Sequence, residues 1–124
     1  MTRVGIDAVE VYRIEALYRR FGERFLERLY TPTEVAYAEA ACGNRRFERL
    51  AARFAAKEAL IKAAGRPLPY RAIEVTSAPG GRPLVRCALV DGQIQASLSH
   101  TERLAVACVI LEETTSSPRP SAWT

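Results

Sequence analysis

Apolar positions recur along this chain with two periods, one of strands and one of helices, and the changes between them outline the elements. Residues 4–11 carry apolar side chains at 4 and 6 and then at 9 and 11, which predicts a strand. The phase slips between Ile6 and Val9, so a bend is expected near Asp7. Residues 13–30 are charged and amphipathic and predict one or two short helices broken near Gly22. Thr31-Pro32-Thr33-Glu34 is a helix start, with Thr31 as N-cap, Pro32 at the first helical position and Glu34 closing a capping box. That helix is expected to reach about Cys42 and to stop at Gly43-Asn44. The longest element spans 45–64, with Gly65 and Pro67 as its stop signals. Strands follow at 72–76, 84–89, 94–99 and 104–111. Turns are expected at Pro79-Gly80-Gly81, at Asp91-Gly92 and through His100-Thr101-Glu102-Arg103. Residues 114–124 are rich in Ser, Thr and Pro without periodicity and read as a disordered tail behind one domain over 1–113. The pattern is α+β, an antiparallel sheet packed on a long helix.

Composition narrows the class. A chain of 124 residues makes one domain, and 48% hydrophobic with 26% charged residues excludes wholesale disorder. Eighteen basic against fourteen acidic side chains give +4, which favours acidic or phosphorylated partners. Cys42, Cys87 and Cys108 form no CxxC pair and are odd in number, which argues against a disulfide framework and a zinc knuckle. The start has no apolar leader, and the longest apolar run, 104–111, is too short to span a bilayer. The expectation is a soluble, cytoplasmic protein with no membrane partner. Of the 18 basic residues only Lys57 and Lys62 are lysines, and both flank Glu58 in the long helix.

On a helical wheel, Phe47, Leu50, Ala51, Phe54 and Ile61 fall on one stripe, with Glu58 in its middle. A carboxylate facing a core must be paired, neutralised or metal-bound. The plain alternative is an i,i+4 salt bridge from Glu58 to Lys62, worth a few tenths of a kcal/mol. Asp7 either caps a turn or projects at the sheet rim. If it converges with Glu58, two carboxylates make an oxygen site suited to magnesium, with Lys62 as a point charge for phosphate. His100 is either a solvated turn histidine or a ligand-facing one. Arg45, Arg46, Arg49 and Arg53 crowd the start of the long helix, as a phosphate-binding cluster or as a solvated face.

Three blocks resemble a known family, the holo-[acyl-carrier-protein] synthases, small phosphopantetheinyl transferases of fatty-acid synthesis. Residues 5–14, GIDAVEVYRI, are similar to the family's GxDxxExxRI opening. Residues 53–63, RFAAKEALIKA, match RFAxKEAxxKA, the most specific signature. Residues 97–101, SLSHT, resemble the SxSH turn, and IEV at 73–75 and GRP at 81–83 stand in the family's order. The loop after Lys62 is shorter than the family's usual one, and Tyr70-Arg71-Ala72 replaces an aromatic-x-Asp lead into the IEV strand.

The resemblance implies transfer of 4'-phosphopantetheine from coenzyme A to a serine of apo-acyl carrier protein, releasing adenosine 3',5'-bisphosphate. It implies Asp7 and Glu58 as magnesium ligands and Lys62 on the pyrophosphate. Ser99, His100, Thr101 and Gly65 would contact coenzyme A, and Arg82 and Pro83 would line its adenine. Arg53 with Arg45 or Arg46, beside Arg49, would serve its 3'-phosphate. Arg13, Arg24 and Arg28 would dock the acidic carrier protein, and the assembly would be a homotrimer with shared active sites. A related domain serving polyketide or peptide synthesis stays open. The alternative from another class is a basic, non-enzymatic nucleic-acid-binding module, but aromatic residues are only 8% and supply few stacking platforms. No nucleic-acid partner is therefore expected.

Overall fold

A computed structural model describes residues 1–114; the expected tail, apart from Thr114, lies outside them. The elements run β1 (Thr2–Glu10), α1 (Val11–Phe21), α2 (Glu23–Leu29), α3 (Pro32–Glu39), α4 (Asn44–Ala64), a 3₁₀ turn (Tyr70–Ala72), β2 (Ile73–Ser77), β3 (Pro83–Cys87), β4 (Gly92–His100) and β5 (Leu104–Glu113). The late strands do not form one sheet. β1, β5 and β4 make an antiparallel sheet with β5 in the centre, and β2 and β3 form a separate hairpin.

The expected bend near Asp7 is absent. β1 pairs with β5 in unbroken register from Thr2–Glu112 to Glu10–Leu104. The phase slip has another cause: the inward face of β1 carries Gly5, Asp7 and Val9, while Val4 and Ile6 point outward, 62% and 60% exposed. Gly5 faces α4 so closely that a Cβ there would collide with the backbone carbonyl of Ala59. Small residues at the centre of the buried helix face, Ala52, Ala55, Ala56, Ala59 and Ala63, allow that approach.

Local signals set the helix ends. Gly22 breaks α1 from α2 at φ 63°, and Gly65 ends α4 in the left-handed region at φ 72°, its N–H donating to Ile61 O. The α3 capping box forms as expected, Glu34 N donating to Thr31 Oγ1 and Thr31 N to Glu34 Oε1. The β4–β5 turn closes when the backbone N–H groups of Arg103 and Leu104 donate to Thr101 Oγ1.

The wheel placed the wrong charge in the core. Glu58, Phe54 and Ile61 are only half-buried; the fully buried charge on α4 is Lys57. Its ammonium lies 2.7 Å from Glu34 Oε1 and donates to Leu29 O and Tyr70 O, so all three of its protons have partners. Glu34 is equally buried, and its Oε2 accepts from Val75 N at 2.7 Å. Burial pushes the Lys57 ammonium below its ordinary pKa, and the Glu34 carboxylate opposes that shift. This pair ties α2, α3, α4, β2 and the 3₁₀ turn to one point.

Candidate active site

The C-terminal half of α4 lies along β1, so side chains on its flank meet those on the inward face of the strand. Lys62 reaches across and donates to Asp7 Oδ1 at 2.9 Å and to Ile6 O at 3.0 Å. The i,i+4 bond to Glu58 is not the one it makes. Glu58 Oε1 instead accepts a hydrogen bond from the Tyr70 hydroxyl at 2.6 Å. That bond, then burial and the nearby charges of Glu58 and Asp7, push the Tyr70 hydroxyl up to about 12. It therefore remains a donor through neutral pH. Glu58, Lys62, Gly65 and Tyr70 line a cleft of about 620 Å³, completed by Ile61, Arg66, Pro67 and Leu68. Asp7 stands at its edge through Lys62. Among the described residues no three carboxylate, histidine or cysteine side chains gather as a metal cluster.

His100, Ser99 and Thr101 occupy a different place. His100 Nδ1 lies 3.0 Å from Glu48 Oε1, ten residues before Glu58 and therefore about 15 Å along the helix axis at 1.5 Å per residue. Arg45 is exposed at that end of α4. Its neighbours are more engaged. Arg46 lies over the rings of Tyr18 and Phe47, at 4.9 and 4.7 Å from their centres. Arg49 donates to Tyr37 O at 2.7 Å. Arg53 is inside, 6% exposed, its guanidinium 4.0 Å from the Tyr37 ring centre, and burial lowers its pKa. Arg82 sits in the β2–β3 turn, exposed and with its carbonyl accepting from Ala78 N, and Pro83 is the first residue of β3.

A third region faces solvent on α1 and α2. Leu17, Phe21, Phe25 and Leu29 line a groove of about 350 Å³ with Arg24 and Arg28. Phe21 is 48% exposed, an unusual degree for a large aromatic side chain. Arg13 lies one helical turn before Leu17 on the same face.

A family model described as the 4'-phosphopantetheinyl transferase superfamily matches residues 3–109. The chain belongs to this superfamily. A holo-[acyl-carrier-protein] synthase of Koribacter versatilis is 45% identical over 122 residues, covering 88% of this chain and 96% of its own. One from Chloroflexus aurantiacus is 41% identical over 129 residues, covering 86% and 94%. Among solved structures, a holo-(acyl-carrier-protein) synthase of Bacillus anthracis in complex with CoA (3',5'-ADP) superposes with TM-score 0.82 at 35% identity, covering 90% of this chain and 96% of that one. The Helicobacter pylori synthase in complex with coenzyme A gives TM-score 0.77 at 28% identity, over 88% and 99%. This member of the superfamily is thus a transferase of α+β fold, and no helix among its described residues is long and apolar enough to cross a membrane.

Two structural features of this transferase escaped the sequence reading. One is Tyr70, whose aromatic character was visible but whose partner was not. The other is the Glu34–Lys57 pair. Its signal was the rarity of lysine in an arginine-rich chain, together with the capping glutamate; neither says that the two meet.

Proposed function

We propose that phosphopantetheinyl transfer takes place in the cleft between the C-terminal end of α4 and the segment 65–70, beside β1, with Asp7 and Glu58 as the ligands of a magnesium ion. One observation carries this reading: Lys62, which lines the cleft beside Glu58, is bonded to Asp7. The donor set fits that ion: magnesium typically takes one or two protein carboxylates and leaves the other positions to water and phosphate oxygens. The Lys62 ammonium 2.9 Å from Asp7 Oδ1 supports this reading, since the carboxylate already pairs with positive charge. Magnesium bound there supplies neutralisation of the coenzyme A pyrophosphate and polarisation of the phosphorus under attack.

The rest is the work of this chain. The serine hydroxyl of the carrier protein gives up its proton to water, and its oxygen forms a bond to the phosphorus bearing pantetheine. The bond from that phosphorus to the bridging oxygen breaks, and adenosine 3',5'-bisphosphate leaves. Lys62, a mobile point charge at the mouth of the cleft, steadies the pyrophosphate while negative charge shifts to the leaving group. Gly65, with no side chain at the end of α4, leaves that entrance open. His100, Thr101, Ser99 and Arg45 bind the nucleotide phosphates, with Arg46 and Arg49 beside them and Arg82 and Pro83 along the adenine.

The carrier protein docks on α1 and α2. A groove with an apolar floor and two guanidinium groups fits an amphipathic acidic helix, and Arg13 extends the positive face. The protein assembles as a trimer. The outer face of the three-stranded sheet carries Val4, Ile6 and Ile110 exposed, and among the described residues nothing covers it. Sharing of sites between subunits would account for the separation of the His100 end from Glu58.

The test is incubation with apo-acyl carrier protein, coenzyme A and magnesium, followed by intact mass. The carrier protein gains one phosphopantetheine with this chain and none with Glu58→Ala. Full transfer by Glu58→Ala in magnesium would sink the metal assignment.

A further inference from the structure

We propose that Tyr70 is a positioning residue of this transferase, holding the Glu58 carboxylate in the orientation that binds the metal. The inference deepens the metal reading above and rests on it. It begins with the contact itself: the hydroxyl donates to Glu58 Oε1 at 2.6 Å, the length of a charge-assisted bond.

Tyr70 is held from three sides. Its ring packs on Phe54 at 5.5 Å between centres, on the same flank of α4 as Glu58, one turn earlier. Its backbone carbonyl accepts from Lys57 Nζ at 3.0 Å. Lys57 is itself immobile, fully buried and paired with Glu34. The 3₁₀ turn beginning at Tyr70 closes when Ala72 N donates to Pro69 O, and Pro69 restricts the approach. The hydroxyl is thus delivered from a rigid support to a side chain that has three rotatable bonds and is only half-buried.

A glutamate left to itself samples many rotamers, and ordering it at a metal costs entropy. A fixed donor on one oxygen removes most of that cost before the ion arrives and leaves the other oxygen for the ion. Hydrogen bonds to ligating carboxylates commonly alter metal affinity or activity by about 10–100-fold. Asp7 receives the equivalent support from Lys62, but that donor is a flexible ammonium free to move to phosphate; Tyr70 is the permanent one.

Tyr70→Phe removes one oxygen and keeps the ring on Phe54, so the fold survives and a thermal melt checks it. The decisive measurement is calorimetric titration of magnesium into the protein saturated with coenzyme A, without carrier protein. The expected result is a magnesium dissociation constant raised about 10-fold in Tyr70→Phe. Coenzyme A affinity measured without metal stays unchanged. In turnover assays the magnesium requirement rises, while saturating magnesium restores most of kcat. Equal magnesium affinity in wild type and Tyr70→Phe overturns this proposal alone. A lost kcat that magnesium does not restore also overturns it, because it assigns the hydroxyl to the substrate instead. If wild type binds no magnesium in this titration, the metal reading falls and this proposal with it.

Discussion

Lys62 turns its ammonium to Asp7 on the neighbouring strand and leaves Glu58, one turn back on its own helix, to Tyr70. The Lys62 side chain is 54% exposed, so the ion pair adds little to stability; such pairs are worth about 0–1 kcal/mol. Its value lies in keeping a positive charge at the cleft. Lys62→Ala is expected to leave the denaturant midpoint nearly unchanged while turnover drops ~10²-fold. Urea titration and steady-state kinetics decide it; a large stability loss with normal turnover would make the residue structural.

Gly5 sets the distance between β1 and α4. In Gly5→Ala the new methyl group meets the Ala59 carbonyl, which is backbone and cannot rotate away. Overpacking of this kind costs about 1–3 kcal/mol. Because Asp7 lies two residues along the same strand face, the displacement reaches the cleft as well. Stability and transfer rate should fall together, and an unaltered transfer rate in the folded variant would show that the Asp7 placement tolerates the shift.

Removing Lys57 strands a buried carboxylate. Lys57→Met leaves Glu34 without its cation, a loss of about 3–5 kcal/mol for a broken buried pair. Changing Glu34 to Gln in the same chain removes the stranded charge and recovers part of that. Chemical unfolding of the single and double variants measures the coupling. Additive losses would mean that the pair does not act as a unit.

Docking through the arginines should be read in salt. Arg24→Glu with Arg28→Glu is expected to raise the KM for the carrier protein steeply at low salt. The effect shrinks as salt is added, because exposed charges are screened beyond ~8 Å at physiological ionic strength. The KM for coenzyme A stays constant. An unchanged carrier KM at low salt would move the docking face to the exposed end of α4 around Arg45.

The Tyr70–Glu58 bond also predicts a pH dependence in the metal-free protein. The hydroxyl is held at about 12 when folded, against 10.0 for an unperturbed tyrosine. Between those values the folded state keeps a proton that the unfolded chain has released. Stability from this group is therefore complete below pH 10 and declines as pH rises toward 12. Wild type minus Tyr70→Phe, compared by denaturant unfolding across that window, isolates the slope. A parallel course for both would assign the slope to other groups.

The order of elements, the capping box at Thr31–Glu34, the helix breaks at Gly22 and Gly65 and the β4–β5 turn were all legible in the sequence. So was the family, from three short blocks. These features rest on local physics: which backbone angles a glycine allows, which side chain reaches an amide three residues away, which spacing repeats. Asp7, Glu58 and Lys62 were legible as candidates for the same reason, since each broke a local pattern.

The partner of each charge was decided elsewhere. The wheel ranked large apolar residues and so centred the buried stripe on Glu58, whereas close approach to Gly5 requires the small face of the helix inward, turning Lys57 into the core and Glu58 to the flank. The split of the late strands into two sheets, the 55-residue reach of Lys62 to Asp7 and the grip of Tyr70 on Glu58 depend likewise on distant segments. Sequence alone determined the elements and the chemical inventory, because both are written in neighbouring residues. Tertiary structure alone decided which groups meet, because a contact across the fold depends on the rotation and depth at which whole elements pack.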